Sequence, residues 1–78
     1  MKVVICGAGL VGTGIAQHLA GENNDVTIVD QDATLVRKIS ETLDVRSIHG
    51  HASQPDILEQ AGAQDADMLI AVTFSDEI

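Results

Sequence analysis

The chain has 78 residues and is short of several things at once. It has one aromatic side chain, Phe74, with no Trp or Tyr, so its core must be filled by Val, Ile, Leu and Ala. Four cations (Lys2, Arg37, Lys38, Arg46) stand against 12 acids, for a net charge of −8, and they form no stripe. A phosphate polyanion or an anionic lipid surface would be repelled, which excludes nucleic acid as a partner. Cys6 is the only cysteine. That rules out a disulfide framework and a zinc spacing, leaves a small hydrophobe, and suits a reducing cytoplasm. No apolar run approaches the ~20 residues that cross a bilayer. The opening "MKVVIC" reaches a glycine turn too early for a secretion signal and has no cleavage-site pattern. The length allows one small domain with a modest core.

What is present is an alternation. "KVVIC" (2–6) is β-branched and apolar, and reads as a strand buried on both faces. From Leu10 to Ala20, Val11, Ile15, Ala16 and Leu19 recur at helical spacing, and Gly21 stops that helix. "DVTIVD" (25–30) is a second buried strand. Asp32 caps a helix whose inner stripe is Leu35, Val36, Ile39 and Leu43. "VRSIHG" (45–50) is a third, more polar strand, suited to a sheet edge. Ser53 stands at a cap position, Pro55 fits a first helical turn, and Asp56 completes a pattern like a capping box. Ile57, Leu58 and Ala61 face inward until Gly62. "DMLIAV" (67–72) is a fourth strand and the most apolar.

The order βαβαβαβ predicts an α/β fold: a Rossmann-like parallel sheet with helices on both faces and strand order 3-2-1-4. No linker, repeat or low-complexity stretch interrupts it. Strand 67–72 looks like an interior strand, yet it would lie at an edge. The expectation is that residues 1–78 are the N-terminal part of a domain truncated before its last strands. An apolar edge of this kind invites pairing, so dimerisation or limited solubility is expected.

Gly7, Gly9 and Gly12 form GxGxxG between the first strand and its helix. Gly7 lets the chain turn off the strand, Gly9 removes a Cβ from the path of a pyrophosphate, and Gly12 lets the helix pack closely on the strands. The helix start then directs unpaired N–H groups and a positive dipole end at an anion. In so acidic a chain, a phosphate site must be made of backbone. GxGxxG alone is a weak signal, and Asp30 strengthens it. It closes the second strand 18 positions after Gly12, where an acid accepts from adenosine ribose hydroxyls. A 2′-phosphate would meet Asp30 head-on, and Gln31, Asp32 and Ala33 offer no cation. NAD(H) or an adenine nucleotide is favoured over NADP(H).

Other stretches stay open. In "GHAS" (50–53) the small residues leave room for adenine, or they form a plain loop with Ser53 as a cap. His49 and His51 point to opposite sides of any strand and lack a third ligand, so no metal site is expected. Thr73 reaches a phosphate or ribose, or belongs to a loop. Hydride transfer would require a nicotinamide pocket, a substrate pocket and a proton donor, none of which is evident, so no catalytic residue is assigned. A binding module is favoured over an enzyme, with the cofactor half of an NAD-dependent dehydrogenase as the alternative.

The stretches "GENNDVTIVD" (21–30) and "AGAQDADMLIAVTFSDE" (61–77), with the glycine loop before them, resemble the N-terminal nucleotide-binding domain of Trk-type potassium-uptake regulators, of the RCK/KTN family. The similarity runs over essentially the whole chain and is far more specific than GxGxxG. It implies a cytoplasmic regulator, peripheral on the inner face of the cell membrane. It also implies binding of NAD(H), ATP or ADP, a membrane potassium transporter or channel subunit as partner, and a homo-oligomer. By this resemblance Gly7, Ala8, Gly9, Leu10, Val11 and Gly12 hold phosphates and Asp30 holds the adenosine ribose. Ala52 and Ser53 border the adenine, and Thr73 lies near the distal phosphate or second ribose. The family domain runs through two more strands. Gly14, inside the first helix, costs about 1 kcal/mol relative to Ala and offers no side chain to a phosphate.

Overall fold

The computed structural model of the chain describes residues 1–51 and 53–72. Four strands, β1 (Lys2–Cys6), β2 (Asp25–Asp30), β3 (Arg46–His49) and β4 (Met68–Ala71), alternate with helices α1 (Leu10–Ala20), α2 (Ala33–Thr42) and α3 (Pro55–Ala61). A 3-10 turn, Ala63–Asp65, precedes β4. All strand pairs are parallel, in the order β3-β2-β1-β4. This is the expected sheet, with β3 and β4 each a residue shorter at both ends than the apolar pattern suggested.

Alternation along the strands separates two cores. Val3 and Ile5 of β1 lie in register with Val26 and Ile28 of β2, and Ala16, Ile39 and Ala8 complete the buried layer they form with α1 and α2. On the other face Val4, Val29 and Ala61 are buried together, with Cys6, Ile48 and Ile57 packed against them from β1, β3 and α3. Each fully buried Val or Ile side chain contributes about 1.5–3 kcal/mol of transfer free energy, so β1 and β2 anchor the domain.

The inner stripe of α2 is as expected: Val36 and Ile39 are buried, and Leu35 and Leu43 pack beside them. Asp32 caps this helix, its Oδ1 accepting from the N–H of Thr34 at 2.9 Å and of Leu35 at 3.3 Å. In α1, Val11 does not join the stripe and stands exposed, because Gly12 takes the inward position at that turn. Gly21 ends α1 in a right-handed conformation, and Asn23, at φ 65°, makes the left-handed reversal instead. The Asn24 side chain then donates to the Leu19 carbonyl at 3.0 Å.

Ser53 does not cap α3. Gln54 is the N-cap residue, with no side-chain cap bond, and Pro55 begins the helix. A residue before proline is held extended, and Gln54 at φ −88°, ψ 124° obeys that restriction, which moves the cap one position past Ser53. Leu58 is half-buried and outside the core that Ile57 joins. At the far end Gly62 adopts φ 80° and closes α3.

Among the described residues β4 is an edge strand, with Met68 and Leu69 exposed. Its start is clamped to β1 by two bonds of 2.8 Å: the Lys2 N–H donates to the Asp67 carboxylate, and the Asp67 N–H donates to the Lys2 carbonyl. No described helix is long and apolar enough to cross a membrane.

Candidate functional site

The C-terminal ends of β1 and β2 bring the glycine loop and Asp30 into direct contact. Gly7 leaves β1 at φ +122°, a conformation that L side chains rarely adopt, and its N–H donates to the Val29 carbonyl of β2 at 2.7 Å. A Cβ on Gly7 would collide with the Val72 carbonyl oxygen, which leaves β4 directly beside the turn. The bare position therefore serves the turn and the close approach of β4. A Cβ on Gly12 would collide with the Gly7 carbonyl and would lie 3.7 Å from Ile5 Cγ2. The expectation that Gly12 brings the helix close to the strands is refined: what it approaches most tightly is the loop itself.

Ala8 is fully enclosed. Its N–H donates to Asp30 Oδ2 at 2.7 Å, and its carbonyl accepts from the Thr13 hydroxyl at 3.0 Å. Gly9 is the N-cap of α1, without a side-chain bond, and its carbonyl accepts the first helical bond, from Thr13 N–H at 2.8 Å. The first-turn amides of a helix have no intrahelical acceptor, which leaves those of Leu10, Val11 and Gly12 available to an external one. Leu10 is 92% exposed. Ala8 differs from its neighbours in the loop, because its amide is already engaged by Asp30.

Asp30 Oδ1 accepts from the Asp32 N–H at 2.7 Å. A carboxylate has about four lone-pair sites, and two backbone donors leave two for hydroxyl donors. His49, the last residue of β3, meets the Gln31 carbonyl through Nε2 at 3.0 Å; a carbonyl only accepts, so Nε2 carries the proton. The next residue, Gly50, donates its N–H to the Asp30 carbonyl at 2.9 Å, which ties the exit of β3 to the same edge of the sheet. The space a side chain at Gly50 would need is filled by Ile57 of α3.

The structure thus brings Gly7, Ala8, Gly9, Leu10, Val11 and Gly12 together with Asp30. Ser53 lies on the loop leaving β3, where its hydroxyl meets His51 Nδ1 at 2.7 Å. Ala52 and Thr73 lie outside the described residues. Thr13 and the Val72 carbonyl join the site without having been marked by the sequence, and His49, weighed there only as a metal ligand, joins it through the Gln31 carbonyl. Thr13 is a hydroxyl one turn into a helix, and Val72 contributes a main-chain atom that any residue would supply. Cys6, just before the turn, is half-buried, and burial raises its thiol pKa.

Residues 3–78 match the family model described as the TrkA-N domain. The chain is 57% identical over 77 residues to the Trk system potassium uptake protein TrkA of Vibrio alginolyticus, covering 99% of this chain and 17% of that protein. It is 58% identical over 78 residues to the protein of the same name from Azorhizobium caulinodans, again 17% of its length. A homolog from Archaeoglobus fulgidus is 44% identical over 78 residues. Among solved structures, the Kef CTD of Shewanella denitrificans in AMP-bound form superposes with a TM-score of 0.76 at 29% identity, covering 97% of this chain and 45% of that one. The chain therefore spans about a sixth of the length of these curated relatives.

Proposed function

The chain belongs to the TrkA-N domain family, and from that premise we propose that it is the N-terminal part of a nucleotide-binding domain that regulates potassium uptake. Its ligand is NAD or NADH, with ATP and ADP as the other candidates. The observation that carries this reading is the convergence of the glycine turn of β1 and the terminal acid of β2 at one edge of a parallel sheet, joined by the 2.7 Å bond from Ala8 to Asp30. The amides opening α1 offer an anion site without side-chain cations, and Asp30 keeps acceptor capacity for ribose hydroxyls. The neighbour from Shewanella denitrificans, solved with AMP, supports an adenine nucleotide on this sheet. Ala52 and Ser53 border the adenine in this reading, and Thr73 lies toward the distal phosphate or second ribose.

The relatives named as potassium uptake proteins support a regulator over the cofactor half of a dehydrogenase. The partner is then a membrane transporter subunit, and the protein works as a homo-oligomer on the cytoplasmic face of the membrane. A nucleotide changes transport only through unequal affinity for two subunit arrangements, so coupling requires that the ligand bind one of them more tightly. Calorimetric titration of NAD, NADH, ATP and ADP into the full-length protein, with Asp30→Ala as control, tests the site. NAD(H) is expected to bind more tightly than NADP(H), because Asp30 repels a 2′-phosphate and Arg37 and Lys38 lie beyond the first turn of α2. Tighter NADP(H) binding would overturn the assignment of Asp30, and turnover of NADH with a substrate would overturn the regulator.

A further inference from the structure

A carboxylate beside an anion site is electrostatically adverse, since it repels the phosphates that the helix start attracts. The geometry of Asp30 supplies a reason for it that does not involve the ribose. Its two oxygens reach in opposite directions along the chain, Oδ2 to the Ala8 N–H and Oδ1 to the Asp32 N–H, each at 2.7 Å. Ala8 is 2% exposed, so its N–H has little access to water. A charged acceptor is strong compensation for a buried donor, and removing it would leave that donor unsatisfied. The other fastenings of the loop, Gly7 N–H to Val29 and the Thr13 hydroxyl to the Ala8 carbonyl, hold its ends and leave the Ala8 amide to Asp30 alone.

We infer that Asp30 is a positioning residue of the glycine loop, fixing it through the Ala8 amide in its anion-binding shape before any ligand arrives. The carboxylate acts on phosphate binding indirectly, by holding the backbone from which the Leu10, Val11 and Gly12 amides project. Its effect on phosphate extends, and rests on, the nucleotide reading above; its effect on the free loop does not.

The test separates the two. Hydrogen exchange of the Ala8 amide is followed by NMR in the ligand-free full chain, for wild type, Asp30→Ser and Asp30→Asn. A lost hydrogen bond to a charged group corresponds to about tenfold or more in protection. Exchange at Ala8 is therefore expected to accelerate at least about tenfold in Asp30→Ser and less in Asp30→Asn, which keeps one oxygen for the amide. The Gly7 amide stays protected and reports an intact sheet. Inorganic pyrophosphate, which has no ribose, is then titrated into the same proteins. Asp30→Ser is expected to bind it more weakly than wild type although it has lost a repelling charge. Unchanged Ala8 exchange in Asp30→Ser overturns the inference, as does pyrophosphate binding equal to or tighter than wild type. If wild type takes up neither pyrophosphate nor nucleotide, the anion-site reading fails while Ala8 exchange still decides the role of Asp30.

Discussion

Alanine at Gly12 and alanine at Gly14 add the same methyl group to the same helix, two residues apart, and are expected to move stability in opposite directions. Gly14 is exposed, and nothing lies within 4 Å of the position its Cβ would take. Alanine there should gain the ordinary helix-propensity difference, about 1 kcal/mol. For a domain of this size that raises the midpoint of thermal unfolding by about 4–8 °C. At Gly12 the methyl would overlap the Gly7 carbonyl oxygen, a backbone atom that no rotamer change can move aside. To accept it α1 must lift, loosening Ala16, Ile15 and Leu19 from Val3 and Ile5. Overpacking of this kind costs about 1–3 kcal/mol, which outweighs the propensity gain. The Gly12→Ala midpoint should therefore fall below wild type. Thermal unfolding followed by circular dichroism, with urea titration as a check, measures both variants. If Gly12→Ala proves as stable as Gly14→Ala, the close approach of helix to loop is wrong, and with it the account of why this loop is bare.

Two further outcomes follow from local geometry. Asp32→Ala removes the acceptor for the first-turn amides of α2 and should lower stability by about 1 kcal/mol, with Asp32→Ser losing much less; equal urea midpoints for Asp32→Ala and wild type would exclude the cap. Burial raises the Cys6 thiol pKa above its ordinary value of 9.0, so the folded chain holds that proton more tightly than the unfolded one. The resulting stability is full below pH 9 and is lost as pH climbs through the ordinary value to the raised one. Wild type should therefore lose more stability than Cys6→Ala between pH 8 and pH 10, and parallel pH profiles would refute the shift.

The legible parts of this sequence were those in which a residue's own chemistry decides its place. β-branched runs made β1 and β2, and the three-four spacing of Leu35, Val36, Ile39 and Leu43 made α2 and its buried face. The polar "VRSIHG" went to the sheet edge, and the Asp32 cap could be read from one side chain and its position. Neighbours overruled the remainder. Ser53 has the chemistry of a cap, but Pro55 sets the helix start and constrains Gln54 instead. Val11 fits the helical period, but Gly12 occupies the inward position. The contacts that assemble the candidate site run mostly to main-chain atoms: Asp30 to the Ala8 amide, Thr13 to the Ala8 carbonyl, Gly7 against the Val72 carbonyl. Such atoms are the same in every residue, so only the folded geometry reveals them. The fold-level glycine motif was visible, whereas the tight stacking of Gly12 on Gly7 was not.

Gly7 lies so near the Val72 carbonyl that a single methyl group would not pass between them. The entrance to the first helix and the exit of the last described strand therefore behave as one mechanical joint. The spacing leaves no slack between them, so any movement of the turn toward Val72 presses directly on the end of β4.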